Sequence, residues 1–594
     1  MGIYTIQRSK GDFKMKSFSK KLISILLALS MLFGCAASMG ASAAASFTEV
    51  VTDIGVFAFD KILTAVIGAL NLVIPDSHEI KSMSDYTDEM FFKGTESMLD
   101  EPAEGAKWKL GYSKASVVPE DWQTKDYYLG GFMSMSNGMS NKIEEVVDDM
   151  QVRVIAVDDG SGRGIAVFAN IDSIGMSNYD IKNIRKALVD LMPDTKFSTI
   201  TVTATHVHSG VDTQGLWTNL FPKLLGNIAK NYVRIGEMTP GVDTEYMAFL
   251  TEKASNAMKE AIEDMSEGTM TYAVKELNED YFNNKNRPSS DSLIQEMARF
   301  TFTPDDTSKK ETLIVNYSAH PDIAGLAVSD IDNGRQLSGD YVVHMGKVIE
   351  EAGKNFMFFN GAIAGIYAGR HPASDGVPTD RRWNESERIG RELGTIALNL
   401  TNSEEVIRAN ADWDKLNAEM EIGGDNYTLW FEGWEPATEK ELDPVLNIMI
   451  SEAKIRVTNP LIQLVGKLGL VNYNVYKEGL KYYIFVEVGY MEIGDVKVVL
   501  MPGEIVQDLI EGGASLTAEG SATGKDFEYP CIDDLFGEDT LCFGLANDAI
   551  GYVVPDNDYK LALIAGHYQE MISLGKYAAS SIMAEFVEIA DAVA

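Results

Sequence analysis

The sequence predicts an α/β fold, with a mixed-sheet core, flanking helices and a polar site gathered at strand ends. Three observations predict it. First, Arg153–Val157 and Ile165–Ala169 are β-branched runs joined by Asp158-Asp159-Gly160-Ser161-Gly162, a turn-rich loop. A helical face at Ile181, Ile184, Leu188 and Leu191 follows, with Ser177 as its N-cap and Asp180 three residues on. Phe197–Val202 is then a third strand, and strand, helix, strand in that order belongs to α/β cores whose sites lie at strand ends. Second, two strands exit into histidine. The run 197–202 leads to Thr205-His206-Val207-His208, and Thr312–Tyr317, paired with Met297–Phe302, leads to Ser318-Ala319-His320-Pro321. Third, Phe356–Phe359 runs into Asn360-Gly361, and Val496–Met501 runs into Pro502-Gly503-Glu504.

Taken in order, the chain begins with an export signal, residues 1–45. Met15-Lys16-Ser17-Phe18-Ser19-Lys20-Lys21 is a basic start, and Leu22–Phe33 is an apolar run too short to anchor in a bilayer. Ala41-Ser42-Ala43 has the form of a cleavage site, and translation begins at Met1 or Met15. Cleavage predicts a secreted protein, and acylation of Cys35 is the alternative that would hold it at the cell surface. Residues 46–105 are a separate helical piece. In it Phe57–Ile74 is an apolar helix that Pro75 ends, and Asp60 and Lys61 argue against a spanning segment. Such a helix docks on the main domain or lies on a membrane surface, and docking is preferred because amphipathic helices usually cover a core.

Residues 106–594 form the main domain. The formal charge of −37 argues against nucleic acid, whose phosphates need Lys and Arg patches, and against an anionic membrane surface. It reads as a solvating surface on an exported protein. Cys531 and Cys542 remain once the signal leaves, and they bracket a loop-like stretch. An even pair in an exported chain predicts a disulfide, with two free thiols as the alternative.

The histidines carry the chemistry. The chain has only seven. If the backbone stays extended past residue 204, His206 and His208 alternate to the same side and converge in one pocket. Two imidazoles there point to a metal or proton-transfer site, and the plainer reading is a hydrogen-bonded core pair. His320 is a third imidazole at a matching strand exit. Leu337-Ser338-Gly339-Asp340 opens a helix through Val342, Met345 and Ile349, residues 381–400 form another, and 575–589 close the chain. Glu504 falls between a strand end and a helix begun by Ile505, Leu509 and Ile510, where exposed amides favour a carboxylate. Arg287, in Asn286-Arg287-Pro288, is one fixed cation in a loop, and Tyr552 sits in the loop Gly544–Pro555.

Together these pieces resemble the neutral (non-lysosomal) ceramidases and their bacterial relatives. The resemblance runs from Leu110-Gly111-Tyr112 to about Gly575. It rests on Ala204-Thr205-His206-Val207-His208-Ser209-Gly210, Asn286-Arg287, Asn316–Pro321, Leu337–Asp340, Pro502-Gly503-Glu504 and Asn547–Pro555. It implies one zinc ion held by His206, His320, Glu504 and Tyr552. It implies that His208 faces the scissile amide and that Arg287 contacts substrate. Tyr568 is a second phenol placed to stabilise the oxyanion, and Asp172 or Asp340 is expected to orient a ligand histidine. The implied reaction is hydrolysis of an N-acyl amide by zinc-activated water.

Two departures qualify the substrate. Ceramidases follow the Asn-Gly turn with a Gly-Asp-Val-Ser-Pro-like segment, and here Asn360-Gly361-Ala362-Ile363-Ala364-Gly365-Ile366 has neither Asp nor Ser. No Gly-x-Ser-x-Gly elbow occurs elsewhere, so no serine nucleophile is expected. The chain also stops soon after the zinc-site region, with no C-terminal Ig-like β-sandwich expected. The substrate is then ceramide or another lipid-like N-acyl amide, and the competing class is a binding or structural relative without chemistry.

Overall fold

The computed structural model describes residues 60–62, 64–131, 141–218, 220–234, 236–284, 287, 289–324, 335–369, 382–401, 437–561 and 568–594. The predicted export signal, Cys35 and Asn286 lie outside them.

In chain order, the main elements begin with strands β1 (Trp108–Ser116), β2 (Gln151–Asp158) and β3 (Ile165–Ile171). Helix α1 (Asn178–Leu191), strand β4 (Phe197–Ala204) and helices α2 (Leu220–Val233) and α3 (Thr244–Glu263) follow. Next come β5 (Ser266–Glu276), β6 (Glu296–Pro304), β7 (Thr312–Tyr317), α4 (Asp340–Glu351), β8 (Asn355–Asn360), β9 (Ile366–Ala368) and α5 (Arg382–Leu398). The second half holds β10 (Thr438–Leu442), β11 (Leu446–Val457), α6 (Pro460–Lys467), β12 (Tyr476–Glu478), β13 (Lys481–Ile493) and β14 (Val496–Leu500). Last are β15 (Glu504–Ile505), β16 (Leu541–Phe543), β17 (Tyr552–Val553), the short α7 (Tyr568–Met571) and α8 (Ala578–Val593).

Two mixed sheets stack face to face. The nine-stranded sheet runs β8-β7-β6-β5-β1-β2-β3-β4, with β10 on β5. The pairs β7/β8 and β3/β4 are parallel and the others antiparallel. The six-stranded sheet is built on β12-β13-β14-β16, with Lys81–Ser82 at one edge and β11 on β13.

Strand alternation sorts the side chains between layers. Ile155 and Val157 of β2 and Phe168 of β3 turn to the other sheet and meet Ile448, Val498 and Phe543. Val154 and Ala156 turn the opposite way and bury Ile181, Ile184 and Leu188 of α1 and Leu250 of α3. On the far side, Ile582, Met583 and Phe586 of α8 pack on Val486 and Val488. The result is four layers, helix–sheet–sheet–helix, where the sequence signalled one sheet. Ser177 caps α1 as expected, its side chain accepting from the Asp180 amide, but Leu191 is 44% exposed and off the buried face.

Residues 60–73, residue 63 apart, are helical. Ile67, Leu70 and Ile74 pack on Leu224 and Ile228 of α2 and on Leu464, Val465 and Leu468 at α6. Among the described residues, no helix is long and apolar enough to cross a membrane. Cys531 and Cys542 are free, buried thiols, so the expected disulfide is not formed. Cys542 lies within β16, clamped by its parallel pairing with β14, and Cys531 sits apart at the N-cap of a short helical turn.

Candidate metal centre

Strand ends from both sheets converge on one point. The Asn360 side chain, at the end of β8, donates to Ala204 O at 3.2 Å, the last residue of β4, and to Thr205 O at 2.6 Å just past it. The segment 544–547 then stitches the sheets together. Asn547 N donates to Val202 O, Ala546 N to Met501 O and Gly544 N to Asn360 O. Gly544 is required here, because a Cβ would lie 2.4 Å from the carbonyl oxygen of Gly361.

His206 sits just past β4 with φ +65°. The backbone is therefore left-handed there, not extended as the alternation argument assumed. A left-handed non-glycine residue costs about 1–2 kcal/mol, so the surrounding structure must hold it. Its Nδ1 lies 2.7 Å from Ile174 O, and His320 Nδ1 lies 2.9 Å from Ile366 O. A carbonyl oxygen only accepts, so both Nδ1 atoms carry a proton, and in the neutral ring each Nε2 presents a lone pair.

Those two Nε2 atoms face the same oxygen. His320 Nε2 is 3.0 Å and His206 Nε2 is 3.5 Å from Glu504 Oε2. With the rings protonated, both nitrogens donate to that oxygen; with the rings neutral, the two nitrogens and the carboxylate together form a ligand set for a cation. Burial works to raise the Glu504 carboxyl, but His206 and His320 beside it outweigh this and hold it well below its ordinary range.

His208 completes a trio whose donor atoms all lie within 4.8 Å of one another. Its ring centre is 4.8 Å from that of His206 and 5.7 Å from that of His320. Burial, and the two histidines beside it, push its pKa well down, so it is a neutral imidazole. Gly131, at φ +107°, lets the chain pass over this ring, since a Cβ there would lie 2.6 Å from His208 Nδ1.

Glu504 is not at a helix start. It pairs with Tyr552 in the parallel β15/β17 ladder, and the helical turn begins only at Asp508. The pairing puts the Tyr552 hydroxyl on the Glu504 carboxylate. Burial, then Glu504 and Tyr367, drive this phenol's pKa well up. Tyr367, which the sequence reading missed, stacks on His320 at 4.9 Å and hydrogen-bonds Tyr552. Its only sequence signal is a place seven residues past Asn360, the last residue of β8, and an isolated bridge sets it beside His320. Tyr568 meets Tyr552 edge-on at 6.0 Å.

Arg287 does not line the pocket beside this cluster, but it bonds the residues next to Tyr568, which does. Arg287 is buried, and Asp558, Glu570 and Gln569 hold its guanidinium, with 2.8 Å between Nη2 and Glu570 Oε1. Glu570 follows Tyr568 in α7, so Arg287 pins the element that carries that phenol. The expected histidine supports are also reassigned. Asp172 holds Arg153 at 2.9 Å, and Asp340 accepts from the Ala324 and Tyr341 amides and from Ser386. Backbone carbonyls orient the ring nitrogens instead.

The cluster opens into a pocket that His206, His208, Glu504, Tyr552 and Tyr568 line at one end. Val457, Ile462, Ile484, Leu545, Ile572 and Leu574 form apolar walls around about 70 Å³ of water-sized free space.

Fold and site together define a two-sheet α/β protein with a buried histidine–carboxylate cluster at strand ends. The chain shares its fold with neutral ceramidase from Pseudomonas aeruginosa, with a TM-score of 0.54 at 13% identity over 82% of this chain and 74% of that one. A ceramidase complexed with C2 gives 0.53 at 12% identity, over 82% and 75%. No protein-family description and no curated protein matches the chain.

Proposed function

We propose that the protein is an exported, zinc-dependent amidohydrolase that cleaves a lipid-like N-acyl amide, ceramide or a related conjugate. One observation carries the reading: the Nε2 atoms of His206 and His320, whose Nδ1 atoms are engaged by backbone carbonyls, converge on one oxygen of Glu504 at the end of an apolar pocket. The ceramidase-like fold supports it.

His206, His320 and Glu504 are the ligand set, with Tyr552 on the carboxylate. Two neutral imidazoles and hard oxygen donors suit Zn²⁺. When bound, that ion supplies Lewis-acid polarisation of the amide carbonyl and acidifies water. The chain's own groups do the rest. The apolar walls take the acyl chain and exclude water from it. Neutral His208 accepts a proton from the attacking water and returns it to the departing amine nitrogen. Tyr568 donates towards the developing oxyanion. Because Ala362, Ile363 and Ala364 are buried and apolar, the segment past Asn360 supplies no nucleophile.

Purified protein should carry about one zinc per chain and release fatty acid from a panel of N-acyl lipids. Zinc without hydrolysis of any member would favour a binding relative over an enzyme. Sequencing the N-terminus of the protein recovered outside the cell tests export, with a start near Ala44 as the expected result.

A further inference from the structure

The leading helix at residues 60–73 is apolar on both faces. One face is buried against α2 and α6. The other points to solvent: Ile62 is 60% exposed, Leu72 83% and Val73 48%, with Ala65 and Ala69 exposed between them. A helix apolar all round is normally buried on both sides or set in lipid.

The end of α2 extends this surface. The Tyr232 hydroxyl donates to Val73 O at 3.0 Å, and Arg234 Nη1 donates to Asp76 O at 3.3 Å. Val233, between Tyr232 and Arg234 in sequence, is 52% exposed at the same end of α2. Exposed Arg234 and half-buried Lys230 adjoin it, and Lys61 is exposed on the leading helix.

The local charge runs against the whole. The chain has 88 acidic and 51 basic residues, yet α2, Arg234 and α6 carry Lys223, Lys230, Arg234 and Lys467 with no acidic side chain. The leading helix itself carries one acid, buried Asp60 beside exposed Lys61; Asp76, which pairs with Lys467 and Lys477, lies at the edge with Glu79 and Glu237. The same elements border the pocket, since Ile462, Gln463 and Gly466 of α6 and Leu216 and Trp217 before α2 line it.

We propose that the leading helix, α2 and α6 form a cap that docks on an anionic lipid surface, inserting Leu72, Val73 and Val233 beside the pocket. Exposed apolar side chains flanked by exposed Lys61 and Arg234, with half-buried Lys230, are the pattern of an interfacial anchor. The global charge of −37 does not forbid this, because exposed charges beyond about 10 Å are screened at 0.1 M salt. That the cap hands a lipid amide to the pocket rests on the proposed function; the docking itself does not.

The test uses the full chain and needs no turnover. In a Cys35→Ser background, Leu72→Cys carries an environment-sensitive nitrobenzoxadiazole label, while Cys531 and Cys542 stay buried and unlabelled. Leu480→Cys, 86% exposed on the β12–β13 hairpin, is the control. Vesicles of phosphatidylcholine with about one-third phosphatidylglycerol should blue-shift the Leu72 label and raise its emission about twofold, leaving the Leu480 label unchanged. Lys230→Glu with Arg234→Glu should weaken that response about tenfold or more. No response at Leu72, an equal response at Leu480, or an equal response to pure phosphatidylcholine overturns the proposal. So does a label already blue-shifted in buffer, which would mean that a second copy or the leading residues of the chain cover the face. Loss of hydrolysis with docking intact would sink only the enzymatic reading.

Discussion

Glu504 and Tyr552 face each other across a parallel ladder of two residue pairs, and the phenol hydroxyl bonds the carboxylate. The ladder fixes where the carboxylate oxygen stands, so His206 and His320 meet it only if β15 and β17 pair. Glu504→Gln keeps the shape and removes the charge. Zinc content should fall well below one per chain. Hydrolysis should drop at least about 100-fold, because even outer partners of metal ligands are worth 10–100-fold. Circular dichroism should be unchanged, and full zinc content in the variant would remove Glu504 from the ligand set.

Tyr367→Phe separates the hydroxyl from the ring. The stack on His320 survives and the hydrogen bond to Tyr552 is lost. Zinc affinity should fall about tenfold, the range for partners that orient a ligand. Tyr367→Leu, which also removes the stack, should weaken it further. Competition against a zinc-sensitive dye measures both.

The legibility of the sequence followed periodicity. β2, β3, β4, β7, β8 and β14 are nearly continuous β-branched or aromatic runs buried on both faces, and these were readable. β11 was not, because Glu452, Lys454 and Arg456 interrupt Leu446–Val457 on one face. With β11 and β13 unread, a second sheet was not anticipated. At the site, the histidines and Glu504 announced themselves by type at strand exits. Tyr367 and the role of Arg287 depend on contacts between distant segments, which no local pattern encodes. The left-handed turn at His206 was hidden for the same reason: the Ile174 carbonyl and the loop at 544–547 impose it.

Arg287 tests whether a buried cation positions or contacts. Arg287→Met keeps the volume and strands Asp558 and Glu570 in the interior. Breaking a buried pair by removing one partner costs about 3–5 kcal/mol, so urea denaturation should show a loss of that size. Turnover should fall through displacement of Tyr568, with kcat changing more than KM. Unchanged stability with a raised KM would instead make Arg287 a substrate contact.

Stability should also depend on pH through two carboxyls remote from titrating surface groups. Burial pushes Asp548 up to about 8, opposed by the amides of Ala549 and Asn178 and by Tyr473, and it pushes Asp180 up to about 7. In the unfolded chain both titrate near 3.8. Between those values the folded state holds protons that the unfolded state has released. Stability from these groups is therefore fully present below about pH 4 and is lost as pH rises towards 7 for Asp180 and 8 for Asp548. The loss is at most about 1.4 kcal/mol per pH unit per group. Asp548→Asn keeps the oxygen that accepts from Asn178 and Ala549 and cannot ionise. Urea denaturation at intervals from pH 5 to 8 should show a falling stability in the wild type and a flatter profile in the variant. Equal slopes would mean that Asp548 is already ionised in the folded protein at pH 5.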